Sequence, residues 1–208
     1  MSMKKAIPCK ILISGMTIMT LLLAGCGTSP PAKFYTLTPI AAQGPPEKVV
    51  ETDKYAPIGI GPVEIPEYLD RPEIVTRAEQ NQLILSEFNL WGGALKTDIN
   101  RVLLENISAL LAGDGIPIIT WKAAVADVHK VPVLISRFDG SLNDSIILKA
   151  RWTLLDKEGK TFELFRESNI TIPVKGSSYS SVVTAMSEAL GELSKEIAAD
   201  IKSVVKKK

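Results

Sequence analysis

The N-terminal 26 residues constrain the rest of the chain more than any other stretch does. Lys4, Lys5 and Lys10 accompany an apolar run, residues 11–23, that is too short to cross a membrane as a stable helix. A charged region, a short apolar region and then small residues are typical of a secretory signal peptide, which we predict over residues 1–25. The folded domain must therefore be built from the residues that follow, in an exported protein.

The tetrapeptide at the end of this signal, Leu23-Ala24-Gly25-Cys26, resembles the lipoprotein box of bacteria. The resemblance implies cleavage before Cys26, diacylation of its thiol, and acylation of its new amino group with a chain such as palmitate. Two or more acyl chains anchor a protein stably, whereas a single chain does so only marginally. The alternative is an ordinary secretory signal with an incidental cysteine.

Residues 26–32 are predicted to be a lipidated tether, stiffened by two prolines. Gly27 stands where an Asp commonly retains lipoproteins in the inner membrane. By this resemblance, the sequence favours the periplasmic face of the outer membrane over the inner membrane.

Cysteine usage and charge exclude several classes of function. Cys9 lies in the signal and Cys26 is the predicted lipid site, so the mature domain would hold no disulfide and no cysteine-ligated metal. Three of the 24 basic residues and none of the 23 acidic ones precede Cys26, which leaves 21 basic against 23 acidic residues. This balance, without a basic helix, argues against nucleic-acid binding. The one histidine, His129, is interpreted as a surface loop residue rather than a base or a ligand.

Hydrophobic periodicity predicts one α+β domain over residues 33–208. Strands are predicted at residues 33–38, 58–65, 73–77, 83–85 and 116–121, and as a three-stranded meander at 131–138, 146–155 and 161–174. Helices are predicted at residues 90–112 and 179–205. The economical architecture is a mixed, mainly antiparallel sheet with the two helices packed on it. Trp121 and Trp152 are expected in the core or on a sheet face.

The strand that begins at Ile58 is interrupted at Gly61-Pro62. Ile58 and Ile60 share one parity, and the apolar residues after Gly61-Pro62 have the other. One inserted residue would bring all of them onto one face, which predicts a β-bulge, and the proline suits an edge position.

The run from Gly61 to Arg77 reads Gly-Pro-Val-x-Ile-Pro-x-Tyr-Leu-Asp-Arg-Pro-x-Ile-Val-x-Arg. It resembles the signature of the ABC-type transport auxiliary lipoproteins. The likeness covers most of the mature chain and includes Tyr35-Thr36-Leu37, Trp91 at the predicted opening of the first helix, and Arg101-Val102-Leu103 and Asn106 within that helix.

The resemblance implies a non-enzymatic accessory protein. Such a protein stands at a membrane and contacts a periplasmic MCE-domain ring or tube. With an ABC permease and ATPase, that tube moves phospholipid or another hydrophobic solute between the inner and outer membranes. The resemblance implies no cofactor beyond the covalent lipid on Cys26. Association with further copies of the chain is left open, as are two other functions: a direct carrier of a hydrophobic ligand, and a structural lipoprotein that binds the cell wall or an assembly machine.

The residues themselves suggest no catalytic or metal site. Glu67, Asp70 and Glu73 could form a carboxylate site for acid–base work or for a metal. They surround two prolines and have arginines nearby, so we interpret them as solvated or paired charges of a turn. The prediction is therefore that the protein is not an enzyme.

A partner-binding surface is predicted at Tyr68, Leu69, Asp70 and Arg71, with Trp91 as a further candidate. Tyr and Arg are favoured at interfaces, and a connection bracketed by prolines presents them at low entropic cost. In the alternative, Tyr68 and Leu69 fold back onto the sheet while Asp70 and Arg71 pair to hold the turn. Trp91 could equally belong to the core.

Overall fold

A computed structural model describes residues 29–40, 55–123, 128–158 and 162–207. The strands are β1 Lys33–Tyr35, β2 Ile58–Glu64, β3 Glu73–Glu79, β4 Gln82–Trp91, β5 Ile118–Thr120, β6 His129–Gly140, β7 Ser145–Leu155 and β8 Phe162–Pro173. The helices are α1 Leu95–Leu111 and α2 Tyr179–Val205, and single 3-10 turns cover Glu67–Leu69 and Ala112–Asp114.

The described residues from Ala32 onward belong to one compact unit. The predicted signal peptide, the lipoprotein box and Cys26 lie outside the described residues. Within the described ranges, no helix has the length and apolar character needed to cross a membrane.

The strands form two sheets. The larger has the order β5-β2-β6-β7-β8, in which β5, β2 and β6 run parallel and β6, β7 and β8 form an antiparallel meander. The smaller has the order β1-β4-β3, with β1 parallel and β3 antiparallel to β4. The α+β class with a mixed sheet and two helices is confirmed, and the longest ladders are antiparallel. The strands divide between two sheets where one was expected.

Both helices pack on the five-stranded sheet and on each other. α1 contacts β2 and β5, and α2 contacts the meander β6-β7-β8. Apolar residues of α2 recur at helical spacing and are fully buried, among them Leu190, Leu193, Ile197 and Ile201. Ser178 caps α2, because its side-chain oxygen accepts a hydrogen bond from the backbone N–H of Ser181 at 3.1 Å. The predicted range of this helix, 179–205, is confirmed.

The first helix begins later than predicted. α1 starts at Leu95, because β4 continues through Trp91 in register with Tyr35 of β1. The Trp91 backbone N–H also donates to the carbonyl oxygen of Pro72 at 2.7 Å. Strand pairing on both sides therefore holds residues 90 and 91 extended, and the prediction that Trp91 opens a helix is wrong.

The bulge predicted at Gly61-Pro62 is confirmed. The register of β2 against β6 shifts between Ile60 and Val63, and Gly61 has a φ of +106°. β2 is an interior strand, but β5 pairs only with Ile58–Ile60. Pro62 therefore lies past the end of β5, where its missing N–H removes no bond on that side.

Two predictions about aromatic side chains differ from the structure. His129 is the first residue of β6, is 8% exposed, and places Nδ1 3.1 Å from the carbonyl oxygen of Leu155, so its interpretation as a surface loop residue is wrong. Trp152 is buried as expected. Trp121 instead lies in the turn after β5 with 36% of its surface exposed.

Candidate functional site

The segment that leads from the predicted tether into the domain is held by side chains of both helices. We call residues 36–40 the strap. Its backbone N–H groups donate to three different side chains: Leu37 to Asp98 Oδ2 at 2.7 Å, Thr38 to Ser187 Oγ at 3.0 Å, and Ile40 to Asn106 Oδ1 at 2.8 Å. These three backbone donors of the strap are thus satisfied by side chains and not by a sheet.

Arg101 completes the attachment of the strap to α1. Its Nη2 donates to the carbonyl oxygen of Leu37 at 2.8 Å and to Asp98 Oδ1 at 2.6 Å. Asn106 is fully buried and donates through Nδ2 to Ser194 Oγ of α2 at 3.2 Å. Arg101 and Asn106 carry part of the family resemblance, and the structure shows that they fix the path of the chain as it enters the domain.

A buried carboxylate joins the two sheets on the face of the five-stranded sheet that lies away from the helices. β6 bulges between Ile135 and Arg137, and this shift turns Arg137 and Asp139 toward the face that the helices do not cover. Asp139 is 0% exposed, because the connection between β2 and β3 and the end of β3 cover it. The bulge therefore decides which face receives this charge.

Asp139 accepts hydrogen bonds from three side chains. Arg77 of β3 binds it through Nε at 2.8 Å and Nη2 at 2.9 Å, Tyr68 donates its hydroxyl at 2.6 Å, and Arg137 donates Nε at 3.0 Å. We call these four side chains the Asp139 cluster. It carries two positive charges and one negative charge, and its ion pairs are shielded from water more than surface pairs are.

Burial and hydrogen bonding shift the protonation equilibria of the cluster. Burial acts to raise the pKa of Asp139, but the hydrogen bonds from Arg77 and Tyr68 and the positive charges of Arg137 and Arg77 together outweigh it and hold that pKa below its usual value. Burial and the hydrogen bond to Asp139 raise the pKa of Tyr68 to about 12. The hydrogen bond to Asp139 raises the pKa of Arg77. At neutral pH, the cluster holds an ionised carboxylate and a protonated phenol, which suits a structural clamp.

The predicted partner-binding residues lie in the connection Pro66–Pro72, and they differ in accessibility. Leu69 is 2% exposed and belongs to the core, and Tyr68 is half-buried with its hydroxyl on Asp139. Asp70 is exposed and Arg71 partly exposed, and the structure records no ion pair between these two described residues. Tyr68 and Leu69 therefore fold back as in the alternative interpretation, but without the expected Asp70–Arg71 pair.

Trp91 lies under this connection. It is 5% exposed, and its backbone bond to Pro72 joins the end of the connection to β4. Of the predicted residues, Asp70 is exposed, Arg71 and Tyr68 are partly exposed, and Leu69 and Trp91 are buried. Tyr68, Leu69 and Trp91 shape the backbone that presents Asp70 and Arg71.

An open groove beside the bulge contains an aromatic side chain that sequence reasoning placed elsewhere. The groove has a volume of about 460 Å³ and includes Pro62, Thr97, Asn100, Trp121 and Lys122 in its lining. The ammonium group of Lys122 lies 5.7 Å from the centre of the Trp121 ring. The side-chain oxygen of Asn100 is buried and has no hydrogen-bond partner among the described residues. Such a groove offers an aromatic contact to a partner.

The sequence held one signal that pointed to Trp121. A glycine at residue 61 with a positive φ leaves room for a neighbour, since a Cβ there would lie 2.5 Å from Trp121 Cδ1 and 2.7 Å from Asn100 Oδ1. The predicted bulge therefore marked a place where other side chains approach the backbone closely.

The part of the chain that the structure describes contains no set of side chains suited to binding a metal ion. No group of three or more His, Cys, Asp or Glu side chains there is arranged to hold a metal ion. Within the described ranges, Glu67, Asp70 and Glu73 form no ion pair.

Two solved structures share this fold. A crystal structure of an uncharacterised protein superposes with a TM-score of 0.69 at 18% identity, covering 83% of this chain and 99% of that one. A Xanthomonas campestris protein of the DUF330 family superposes with a TM-score of 0.65 at 14% identity, covering 85% of this chain and 98% of that one. A search of the curated proteins found no match.

The fold and the site together define an α+β domain. Side chains of both helices hold its N-terminal strap, and one buried carboxylate joins its two sheets. The model of the ABC-type transport auxiliary lipoprotein component family matches residues 35–198. The chain therefore belongs to this family, as the run from Gly61 to Arg77 indicated. Membership supports the role of an accessory to an ABC-type transport system.

Proposed function

We propose that the protein is a lipid-anchored accessory that contacts the periplasmic MCE-type component of an ABC transport system and assists the movement of lipid between two membranes. The family match over residues 35–198 is the observation that carries this proposal. The strap supports it, because it gives a chain anchored at Cys26 a fixed point of entry into a rigid domain. Gly27, where an inner-membrane lipoprotein commonly has Asp, favours anchoring at the outer membrane.

The partner surface in this proposal is the exposed part of the connection Pro66–Pro72, centred on Asp70 and Arg71. The Asp139 cluster holds that connection from below, and the bond from Trp91 to Pro72 holds its end. A rigid backbone presents the two charges at little entropic cost on binding. Trp121, in the groove beside the bulge, is a further aromatic candidate for an anchor.

The shape of the surface supports an accessory rather than a carrier. The groove beside the bulge and a second groove of about 390 Å³ between the strap and α2 are both open to solvent. Polar groups such as Thr97, Asn100, Ser180 and Glu188 share their walls with apolar ones. A protein that shields a hydrophobic solute needs a mostly apolar enclosure.

In-cell photocrosslinking tests the proposal. A photoreactive residue replaces Asp70 in the full-length protein at native expression, and a matched variant carries it at Asn169, an exposed residue on the far meander. We expect the Asp70 variant, and not the Asn169 variant, to be crosslinked to an MCE-domain protein, with the permease and ATPase recovered by co-purification. Crosslinks only to cell-wall or outer-membrane assembly proteins would instead support the structural lipoprotein.

A charge variant separates binding from folding. Arg71→Ala together with Asp70→Ala removes two side chains that make no recorded ion pair, so the unfolding free energy should change little. Recovery of the transport partner should fall at least tenfold. Unchanged recovery from a folded variant would contradict the assignment of this surface.

A further inference from the structure

Among the described residues, the most exposed large apolar side chain follows the predicted tether closely in the sequence. Phe34 is 67% exposed on β1, an edge strand of only three residues in the smaller sheet. Residues 29–34 are all exposed. The ring of Phe34 thus stands on the surface at the point where the tether enters the domain.

The length of the tether limits how far Phe34 can lie from a membrane. Phe34 follows the predicted lipid site, Cys26, by eight positions in the sequence. A fully extended chain of eight residues spans at most about 29 Å. The β1 edge therefore lies no farther from the lipid anchor than this length. When the tether leaves the domain toward the lipid, the β1 edge reaches the bilayer that holds the acyl chains of Cys26.

The charge of this region suits a lipid surface. Between Cys26 and Glu47, the first acidic residue of the chain, Lys33 is the one charged residue. Lys33 is exposed and precedes Phe34 in β1, so the two side chains leave the strand on opposite faces of the sheet. Where this edge strand meets a bilayer, the ring enters the apolar side and the long lysine side chain carries its ammonium group to the headgroups.

We propose that Phe34 and Lys33 form a membrane-contact site, in which the Phe34 ring enters the interface of the bilayer that carries the lipid anchor. The contact would give the domain two attachments to the membrane, the acyl chains and the β1 edge. Two attachments restrict rotation about the tether and direct the rest of the domain away from the lipid. This inference rests on the lipid anchor at Cys26 in the proposed function.

Fluorescence quenching tests the contact. Phe34→Trp is compared with Phe165→Trp, since Phe165 is 58% exposed on β8 and makes a matched control. Both variants carry Trp121→Phe to remove the exposed native indole, and circular dichroism checks that both keep the parent fold. The mature proteins, lipidated at Cys26, are reconstituted into phosphatidylcholine–phosphatidylglycerol vesicles with or without bromine on the acyl chains.

We expect brominated lipid to quench the new indole at residue 34 and to leave the one at residue 165 unaffected. Phe34→Asp should speed the transfer of the lipoprotein between vesicles by about tenfold or more, because the apolar contact is lost, while Phe165→Asp leaves it unchanged. Vesicle association without quenching at residue 34 would overturn the contact and leave the anchor intact. Failure of the parent protein to float with vesicles would overturn the anchor and the contact with it.

A protein partner at Phe34 would give a different result. The indole at residue 34 would then be unquenched in vesicles of lipid alone and would become protected only when envelope proteins are added. That outcome would overturn the membrane contact in favour of a protein interface at β1.

Discussion

Arg77 and Asp139 join the two sheets through a pair of parallel hydrogen bonds, Nε to Oδ1 at 2.8 Å and Nη2 to Oδ2 at 2.9 Å. They lie 62 residues apart in the sequence, on β3 and β6. The carboxylate is fully buried and also receives the hydroxyl of Tyr68, so one side chain fixes both β3 and the connection that precedes it. The position of the proposed partner surface, the connection Pro66–Pro72, therefore depends on the buried charge of Asp139, which does not contact the partner.

Replacing Asp139 with alanine should destabilise the protein by about 3 kcal/mol, measured by urea unfolding. The loss arises because Arg77 and Arg137 keep their charges without a counter-ion. It lies at the low end of the range for buried ion pairs because both arginine side chains remain partly exposed. Glu167→Ala is the control, because it breaks an exposed pair with Arg151 and should cost less than about 1 kcal/mol. Equal losses in the two variants would contradict the role of the cluster.

The phenol of Tyr68 should ionise at a higher pH than the phenol of a free tyrosine side chain. Its pKa is about 12 in the folded protein against 10.0 for the free side chain, so the folded state keeps a proton that the unfolded state loses. This contribution to stability is complete below pH 10 and is lost as the pH rises toward 12. Absorbance titration should show the late step in the parent and not in Tyr68→Phe. In unfolding experiments, stability should fall less between pH 10 and pH 12 for Tyr68→Phe than for the parent.

Local patterns predicted the elements that packing reinforces. The apolar repeat of α2 is long, and a serine caps its start, so its bounds were predictable to the residue. The bulge at Gly61-Pro62 was predictable because a change of side-chain parity within a strand has few other causes. In both cases, the sequence signal lies within the element itself.

The features that sequence reasoning missed depend on distant residues. Trp91 follows a Leu that fits either a helix or a strand, and only the pairing with Tyr35 and the bond to Pro72 decide for the strand. Tyr68 and Asp139 are 71 residues apart, and no periodicity relates them. The exposure of Trp121 follows from the early end of β5, since a single strand boundary moves the indole from a sheet face into a turn.

Gly61→Ala should destabilise the domain by at least about 2 kcal/mol, for two physical reasons. A φ of +106° is unfavourable for any residue with a Cβ, and that Cβ would lie 2.5 Å from Trp121 Cδ1. Gly93→Ala is the matched control, because a Cβ there meets nothing within 4 Å. Thermal and urea unfolding of the two variants measure the difference. A Gly61→Ala variant as stable as Gly93→Ala would show that the bulge relaxes without cost.

The attachment of the strap can be loosened at one hydrogen bond. Asp98 accepts the backbone N–H of Leu37 at 2.7 Å, so Asp98→Ala leaves that amide without its acceptor and removes a partner of Arg101. A hydrogen bond to a charged group contributes about 1.5–3 kcal/mol, which corresponds to amide exchange at Leu37 that is at least tenfold faster. Hydrogen–deuterium exchange read by NMR measures this rate in the folded protein.

Asn100→Ala is the matched control for the strap, because it removes a side chain of the same helix whose oxygen has no partner among the described residues. Its Leu37 amide should exchange at the parent rate. If Asp98→Ala accelerates exchange at buried amides of the meander as much as at Leu37, the residue supports the whole domain. Acceleration confined to residues 36–40 would show that the strap opens as a separate unit while the helices and both sheets stay folded.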